Sequence, residues 1–471
     1  MDFARRMCED RKMPMSSEVT LVIRGGHVVT PEGVKRMDVA IADKKFRKIA
    51  PKVDDPATET LDARGKYVFP GIIDAHVHFN EPGRAEWEGL ASGSAALAAG
   101  GGTMFFDMPL NSEPPVLDAA AFREKRRLAE EKSCVDFALW GGLTPLNLDK
   151  LAGLRDAGAI GVKAFMSASG IESFPRADER TLREGMKRAK QLGLLVAVHA
   201  EDDALAAKFT AEQKAKGKTD AKAWLASRPI EVELEAIRMA TEIAGETGCA
   251  LHIVHVSSPE GVALVDEARA NRVDVTAETC PHYLLLNDKM VSKIGAPAKC
   301  APPIRDEANR KALWEEVRGG RIFTIGSDHS PAPADMKTSE NFFEIWGGIG
   351  GIQHGFQLLL SECADLEGKA RDAELVKFAA LLAGNVARRF RLDGQKGAIV
   401  EGRDADFCVF EFTEPKKVEA DELWTRHRMS AYVGMKNRVR VSDTCVRGNL
   451  VYKDGRFTNL EAPGTFYRPE K

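Results

Sequence analysis

The sequence predicts an α/β protein in which a (β/α)8 TIM barrel carries a small, β-sandwich-like domain built from both chain ends. Eight short apolar runs alternate with amphipathic stretches through the middle of the chain, in the order that a closed parallel barrel requires. Both ends instead show short alternating strands joined by Gly and Asp turns. The rival architecture is a doubly wound open sheet. It is disfavoured because no GxGxxG motif follows the first apolar run.

The apolar runs are the predicted barrel strands, and the stretches between them carry helical patterns. The runs cover residues 71–79, 103–108, 135–141, 160–166, 194–200, 250–256, 273–280 and 322–327. Helices are predicted over residues 120–132, 229–246, 308–317 and 350–363. The second of these begins with Pro and acidic residues and ends near Gly248, as a capped helix should.

The two chain ends are expected to meet in one domain. Short strands are predicted at residues 20–26, 39–41, 402–410 and 444–452, and neither end alone has enough of them for a stable sheet. Residues 18–69 and 392–471 are therefore predicted to form a composite β domain, with the barrel spanning 70–391. Residues 1–17 are rich in charge and lack the apolar core of a secretory signal, so we expect a disordered extension.

Composition excludes several classes of function. The chain has 471 residues with 44% hydrophobic and 29% charged residues, as is usual for a globular enzyme. Its net charge of -3 gives no reason to expect a nucleic-acid or anionic-membrane partner, and no apolar run is long enough to span a bilayer. Eight scattered cysteines without a CxxC pair favour a reducing, cytoplasmic location and no structural disulfides.

The first barrel strand carries the most informative motif. His76 and His78 are two residues apart, so in a strand both imidazoles point to the same face and can hold one divalent metal ion. Two satisfied core histidines are the alternative for this motif in isolation. The later strands favour the metal, because Lys163, His199, His255 and Asp328 also fall within or at the ends of predicted strands. Barrel enzymes place their chemistry at the carboxyl ends of the strands.

These six residues suit a pair of metal ions about 4 Å apart that share a bridging hydroxide. We expect His76, His78 and Asp328 to bind one ion, and His199 and His255 to bind the other. An ammonium has no lone pair, so Lys163 contributes only as a carbamate formed with carbon dioxide, whose two oxygens reach both ions. An ion pair with a nearby carboxylate is the alternative for Lys163 taken alone.

Three further histidines and two cysteines lie near these motifs. His252 is three residues from His255, so it is expected to face the other side of the strand as a core or outer-sphere residue. For His282 and His329 an outer-sphere or substrate role and a packing role stay open. Cys280 and Cys300 are interpreted as structural rather than nucleophilic.

At this point the sequence resembles the cyclic amidohydrolases, a family that includes dihydroorotases, hydantoinases, dihydropyrimidinases and allantoinases. The family's metal ligands map onto the six residues above with none missing, and residues 402–407 look like the signature of its β domain. Within the family the allantoinase group is the most similar. The segments that carry this resemblance are residues 81–89, 107–111, 226–229, 256–262, 280–283, 298–306, 327–331, 346–351 and 427–434.

Two departures separate the chain from other members of the family. Dihydroorotases usually follow HxH with an arginine that holds the substrate carboxylate, whereas Asn80 stands two places after His78 and cannot supply that charge-assisted contact. Hydantoinases usually carry a tyrosine a few residues after the carboxylated lysine, and residues 165–170 contain none.

The resemblance implies hydrolysis of allantoin to allantoate by a hydroxide activated by two metals, with Asp328 as the catalytic base. It implies two divalent ions per subunit, zinc first and cobalt or manganese next, a CO2-derived carbamate (N6-carboxylysine) at Lys163, and a homotetramer. Substrate contacts are predicted at Arg84, Asn111, Ala301 and Gln353. A hydantoinase or dihydropyrimidinase with a broader cyclic ureide range, and a non-catalytic scaffold of the same fold, are the alternatives.

Overall fold

We describe a computed structural model of the chain, which covers residues 18–458 and 464–470. The predicted extension over residues 1–17 lies outside the described residues. None of the helices in the described ranges is long and apolar enough to cross a membrane.

The chain begins with five strands that belong to a mixed sheet. They are β1 (Val19–Thr30), β2 (Gly33–Ala42), β3 (Lys45–Ala50), β4 (Ala57–Asp62) and β5 (Tyr67–Pro70). β1 pairs with β2 in antiparallel orientation and with both β4 and β5 in parallel orientation. β5 leads through Gly71 into the barrel. A side chain at this position would collide with Thr103 on the neighbouring strand, so only glycine allows the close approach.

The middle of the chain forms the barrel, in which strands and helices alternate. The elements are β6 (Ile72–Val77), α1 (Leu90–Ala99), β7 (Gly102–Asp107), α2 (Ala119–Lys132), β8 (Asp136–Leu139), β9 (Gly141–Gly142), α3 (Leu151–Ala157), β10 (Val162–Phe165), α4 (Glu179–Leu192), β11 (Val196–His199), α5 (Asp203–Ala215), α6 (Ala221–Ala226), α7 (Ile230–Thr247), β12 (Leu251–Ile253), α8 (Pro259–Ala270), β13 (Val275–Thr279), α9 (Pro281–Leu285), α10 (Asp288–Ile294), α11 (Glu307–Arg318), β14 (Thr324–Ile325), α12 (Gly355–Ser361), α13 (Gly368–Ala379) and α14 (Asn385–Arg389).

The barrel strands are parallel and close into a ring. β6, β7 and β8 pair in one sheet, and β9 to β14 pair in another. Trp140 continues β8 into β9, and a bridge between Val77 and His329 joins the two sheets on the other side. All eight predicted strands are therefore confirmed. The helix predicted over residues 350–363 is shorter than expected, because Gly351 turns its N–H toward His329 before α12 begins.

The end of the chain completes the first sheet. β15 (Phe407–Lys417), β16 (Lys436–Val446), β17 (Asn449–Lys453) and β18 (Arg456–Phe457) extend it through the antiparallel pairing of β15 with β5. Three strands separate β3, which carries Phe46, from β15, which carries Phe407, yet the two ring centroids lie 6.4 Å apart. The sheet therefore curls onto itself around a separate apolar core drawn from both ends, which confirms the composite, sandwich-like domain.

Two details of this domain differ from the prediction. The single strand predicted over residues 444–452 is in fact two strands, because Arg447 and Gly448 both take positive φ and form a hairpin turn. Phe466 pairs with Phe137 of β8, so the end of the chain returns to the barrel rather than to the sheet. The predicted domain limits at residues 70 and 391 stay predictions.

Candidate active site

Three predicted ligands lie together: His76 and His78 at the first barrel strand, and Asp328 after the last. Asp74, His76 and His78 alternate along and just beyond β6, so their side chains point into the barrel. His76 Nε2 and His78 Nε2 lie 3.3 Å and 3.4 Å from Asp328 Oδ1, respectively. The ligand atoms of the three residues are all within 4.8 Å of one another, close enough to hold a single ion.

A second pair of predicted ligands lies beside the first group. His199 ends β11, and its Nδ1 is 2.9 Å from Nε2 of His255. The rings of His255 and His76 are 5.5 Å apart between centroids, so the two groups adjoin. The two imidazole nitrogens face each other with no proton-donating side chain between them. They can therefore bind a cation together.

Lys163 on β10 is the sixth predicted ligand and is wholly buried. Among the described residues its Nζ has no hydrogen-bond partner. Burial lowers the pKa of this amine to about 8, although Asp328 and Glu278 partly offset the effect. The same burial, together with the charge of Lys163, holds the pKa of His76 and of His255 well below the usual range, so both imidazoles are neutral and able to donate a lone pair.

Two buried carboxylates orient these imidazoles, and sequence analysis did not identify either role. Glu278 Oε1 lies 2.9 Å from His76 Nδ1, and Glu201 Oε2 lies 2.8 Å from His199 Nε2. Each carboxylate accepts a hydrogen bond from the N–H of the outer nitrogen, so the other nitrogen of each ring is left with its lone pair toward the centre. A glutamate inside the otherwise apolar run of β13 was the signal for Glu278.

His252 differs from the prediction that it would face away from His255. β12 ends at Ile253, and His255 adopts a φ of 43°, which interrupts the strand alternation. Both residues consequently reach Glu278: His252 Nε2 lies 3.5 Å from Glu278 Oε2, and the backbone of His255 also bonds to this carboxylate. His252 therefore contacts the residue that orients His76. This is an outer-sphere role, one of the two that we expected for His252 from the sequence.

Of the four predicted substrate contacts, two line the cavity at the site. A cavity of about 330 Å³ opens over the histidines, and Asn111 and Ala301 line it. Arg84 and Gln353 are not among its lining residues. The Arg84 guanidinium instead donates to the Asn111 carbonyl, and the Gln353 amide holds the backbone of Glu422 and Trp424 beside a different cavity. Both residues lie near the motifs in the sequence, but their side chains hydrogen-bond to the backbone of neighbouring loops.

Four further side chains near the cavity, those of His282, Cys280, Cys300 and Lys299, differ in their surroundings. His282 is buried without a hydrogen-bond partner in the described chain, and burial lowers its pKa to about 4. Burial raises the pKa of the Cys280 and Cys300 thiols, so neither is an activated nucleophile. Cys300 lines the cavity, as do Trp224 and Lys299. The Lys299 ammonium lies 4.1 Å from the centre of the Trp224 ring.

Comparison with known proteins agrees with this geometry. The model of the amidohydrolase family matches residues 67–451. A protein named allantoinase from Deinococcus radiodurans is 50% identical over 450 residues, which cover 95% of this chain and 98% of that protein. An allantoinase from Solibacter usitatus is 47% identical, with 95% and 97% covered.

Solved structures give the same result for the fold. An L-hydantoinase (dihydropyrimidinase) from Arthrobacter aurescens superposes with a TM-score of 0.91 at 31% identity, over 95% of this chain and 99% of that chain. A dihydropyrimidinase from Brevibacillus agri superposes with a TM-score of 0.87 at 29% identity. The chain belongs to the amidohydrolase family and, within it, to the allantoinases.

Proposed function

We propose that this enzyme hydrolyses the cyclic amide bond of allantoin to give allantoate. The similarity to proteins named allantoinase, at 47–50% identity over nearly the whole chain, carries the choice of substrate. The geometry supports metal-assisted amide hydrolysis as the chemistry, because imidazoles and a carboxylate face one another at the rim of the barrel.

The residues fit a pair of divalent metal ions, which the family implies. His76, His78 and Asp328 would hold one ion, and His199 and His255 the other. A buried ammonium without a partner is unfavourable, so the unpartnered Nζ of Lys163 supports a different state for this side chain. We infer that Lys163 is carboxylated by CO2, since the carbamate is anionic and would serve both ions.

The ions, when bound, would supply a nucleophilic water at neutral pH and polarise the ring carbonyl. The chain itself supplies the proton transfers. The Asp328 carboxylate accepts the proton of the attacking water and then delivers it to the leaving ring nitrogen. Glu278 and Glu201 keep the outer nitrogens of His76 and His199 protonated, so the inner nitrogens stay available throughout.

Several finer properties belong to the same proposal. Zinc is the expected metal, with cobalt or manganese as substitutes, because imidazole and carboxylate ligands suit all three. The substrate contacts that the cavity supports are Asn111 and Ala301. A cytoplasmic location is supported by the seven described cysteines, all of which are free and buried. A homotetramer follows only from the family resemblance and is measurable by light scattering.

A hydantoinase or dihydropyrimidinase activity is the second candidate, favoured by the close superposition on an L-hydantoinase. The absence of a tyrosine among residues 165–170 speaks against it. A panel of allantoin, hydantoin, dihydrouracil and dihydroorotate separates the two, and kcat/KM for each substrate decides. A non-catalytic scaffold is disfavoured because all six ligand positions are filled.

The decisive experiment is turnover of allantoin by protein loaded with zinc, cobalt or manganese in the presence of bicarbonate. Allantoate is the expected product. Absence of turnover with all three metals, in protein that binds two ions per subunit, would contradict the choice of substrate. Protein that binds no metal under any loading condition would contradict the chemistry.

A further inference from the structure

His329, the residue after Asp328, is buried and is held through its backbone and one ring nitrogen. Its N–H donates to Ser327 Oγ at 3.0 Å, and its carbonyl accepts the N–H of His78 at 2.7 Å. Its Nδ1 accepts the N–H of Gly351 at 3.2 Å, so that nitrogen carries no proton. The neutral imidazole is consequently protonated at Nε2.

Nε2 lies beside Glu88, which is also buried. Glu88 Oε2 is 3.3 Å from His329 Nε2 without the alignment of a hydrogen bond, and neither atom has a hydrogen-bond partner in the described chain. Glu88 Oε1 accepts the backbone N–H of Arg426 at 3.1 Å, and its carbonyl accepts the Arg426 Nε–H at 2.7 Å. The carboxylate thus joins His329 to a segment of the composite β domain.

The segment over residues 426–432 contacts both partners of His329. Its other contact near Glu88 is made by His427, whose Nε2 donates to the Glu86 carbonyl at 2.7 Å. On the opposite side, Tyr432 packs so closely on Gly351 that an added side chain there would lie 2.9 Å from the tyrosine ring. One segment therefore contacts both Gly351, which donates to the imidazole, and Glu88, which lies beside its other nitrogen.

We propose that Arg426, Glu88 and His329 form a positioning chain, running from the surface to the cavity, that holds Asp328 in its working conformation. Asp328 has a φ of 45°, a left-handed conformation that persists only where the surroundings over-determine it. Fixing His329 through its backbone and Nδ1, with the buried Glu88 carboxylate beside Nε2, supplies that constraint. The inference rests on the proposed role of Asp328 and adds residues that themselves touch no reacting atom.

Glu88→Gln tests the chain with little change in shape. The oxygen of the introduced amide can face either the Arg426 N–H or His329 Nε2. Its NH2 group then faces the other of the two. Since outer-sphere partners of this kind affect activity by about 10- to 100-fold, we expect a kcat loss in that range with KM changed by less than about two-fold. Glu86→Gln is the matched control, because it makes the same charge change in the same loop on an exposed side chain.

A spectroscopic readout separates positioning from a general structural effect. In 15N-histidine NMR of the wild-type protein, His329 should show an unprotonated Nδ1 and a protonated Nε2, with its signal identified by its loss in His329→Asn. In Glu88→Gln the Nε2 proton should exchange with water at least about ten-fold faster, since the negative charge beside it is gone. Glu86→Gln should leave this exchange rate unchanged.

The proposal is overturned by a wild-type kcat in Glu88→Gln, by an equal loss in Glu86→Gln, or by a His329 protonated at Nδ1. If Glu88→Gln does not fold, Arg426→Ala decides, since this exposed side chain loses only its Nε–H bond. About a five-fold lower kcat at constant KM is expected there, and an unchanged kcat overturns the proposal. A wild-type protein inactive on allantoin contradicts the proposed function alone, because the imidazole measurements need no substrate.

Discussion

Replacing Lys163 by methionine should stabilise the metal-free protein while destroying the metal site. Lys163 is fully buried, and its amine has no hydrogen-bond partner in the described chain. Methionine has nearly the same length and no polar atom, so it removes the buried polar group without opening a large cavity. Leaving a buried donor unsatisfied costs about 1–3 kcal/mol, and we expect the free energy of unfolding to rise by this amount.

The effect should depend on pH in a defined direction. Burial lowers the pKa of Lys163 from 10.5 to about 8, so the unfolded chain binds the proton more tightly than the folded one. The resulting penalty, about 3 kcal/mol at 1.36 kcal/mol for each pKa unit, is fully present below pH 8 and disappears as the pH approaches 10.5. The stability advantage of Lys163→Met should therefore be largest near pH 7 and small near pH 10.5.

Urea unfolding of chelator-treated protein at several pH values measures this difference, and metal analysis records the loss of binding. Lys125→Met is the matched control. Lys125 is equally buried, but its Nζ pairs with Asp107 at 3.0 Å and the Met108 carbonyl at 2.8 Å. Breaking that buried pair should cost about 3–5 kcal/mol. If metal-free Lys163→Met is destabilised as strongly as Lys125→Met, the assignment of Lys163 as an unpartnered amine is wrong.

Three further outcomes are expected. Asp328→Asn should keep its circular dichroism spectrum and lose allantoin turnover, because an amide accepts no proton from water; substantial activity in this variant would refute the base role. Glu201→Gln should lower metal affinity or activity by about 10- to 100-fold, since His199 loses its orienting carboxylate, and metal titration followed by turnover assays measures this. Lys396→Met removes the cation that Asp136 and Asp406 share and leaves Asp136 only Arg447, so urea unfolding should show a loss of about 3–5 kcal/mol.

Much of the architecture was predictable because barrel strands leave clear signals. Each strand is a short apolar run, and in a parallel barrel every carboxyl end meets at one rim. His76, His199 and Asp328 could therefore be expected together from their positions in separate runs. The two sheet halves at the chain ends were predictable for a related reason, because neither was large enough to be stable alone.

The features that could not be predicted depend on side-chain direction or on local backbone. Gln353 lies in sequence beside a family motif, yet its side chain binds the 422–424 backbone, and only tertiary packing decides that. His252 was placed on the wrong face because period-two alternation fails where His255 takes a positive φ. Glu278 carried a signal, a carboxylate within an apolar strand, but its partner His76 is 202 residues away.

Four of the ten non-glycine residues with positive φ in the described chain lie around the cavity. Asn80, Asn111, His255 and Asp328 all take left-handed backbone conformations, with φ between 43° and 66°. Each such residue costs on the order of 1–3 kcal/mol, and Lys163 adds an unsatisfied amine at the same rim. A ligand that binds only the folded state, present at a concentration 100 times its Kd, adds about 2.7 kcal/mol to the free energy of unfolding. Bound metal would therefore offset the penalty of roughly one or two of these features. Selection for stability alone would remove them, and their coincidence at one rim is therefore best explained by the chemistry performed there.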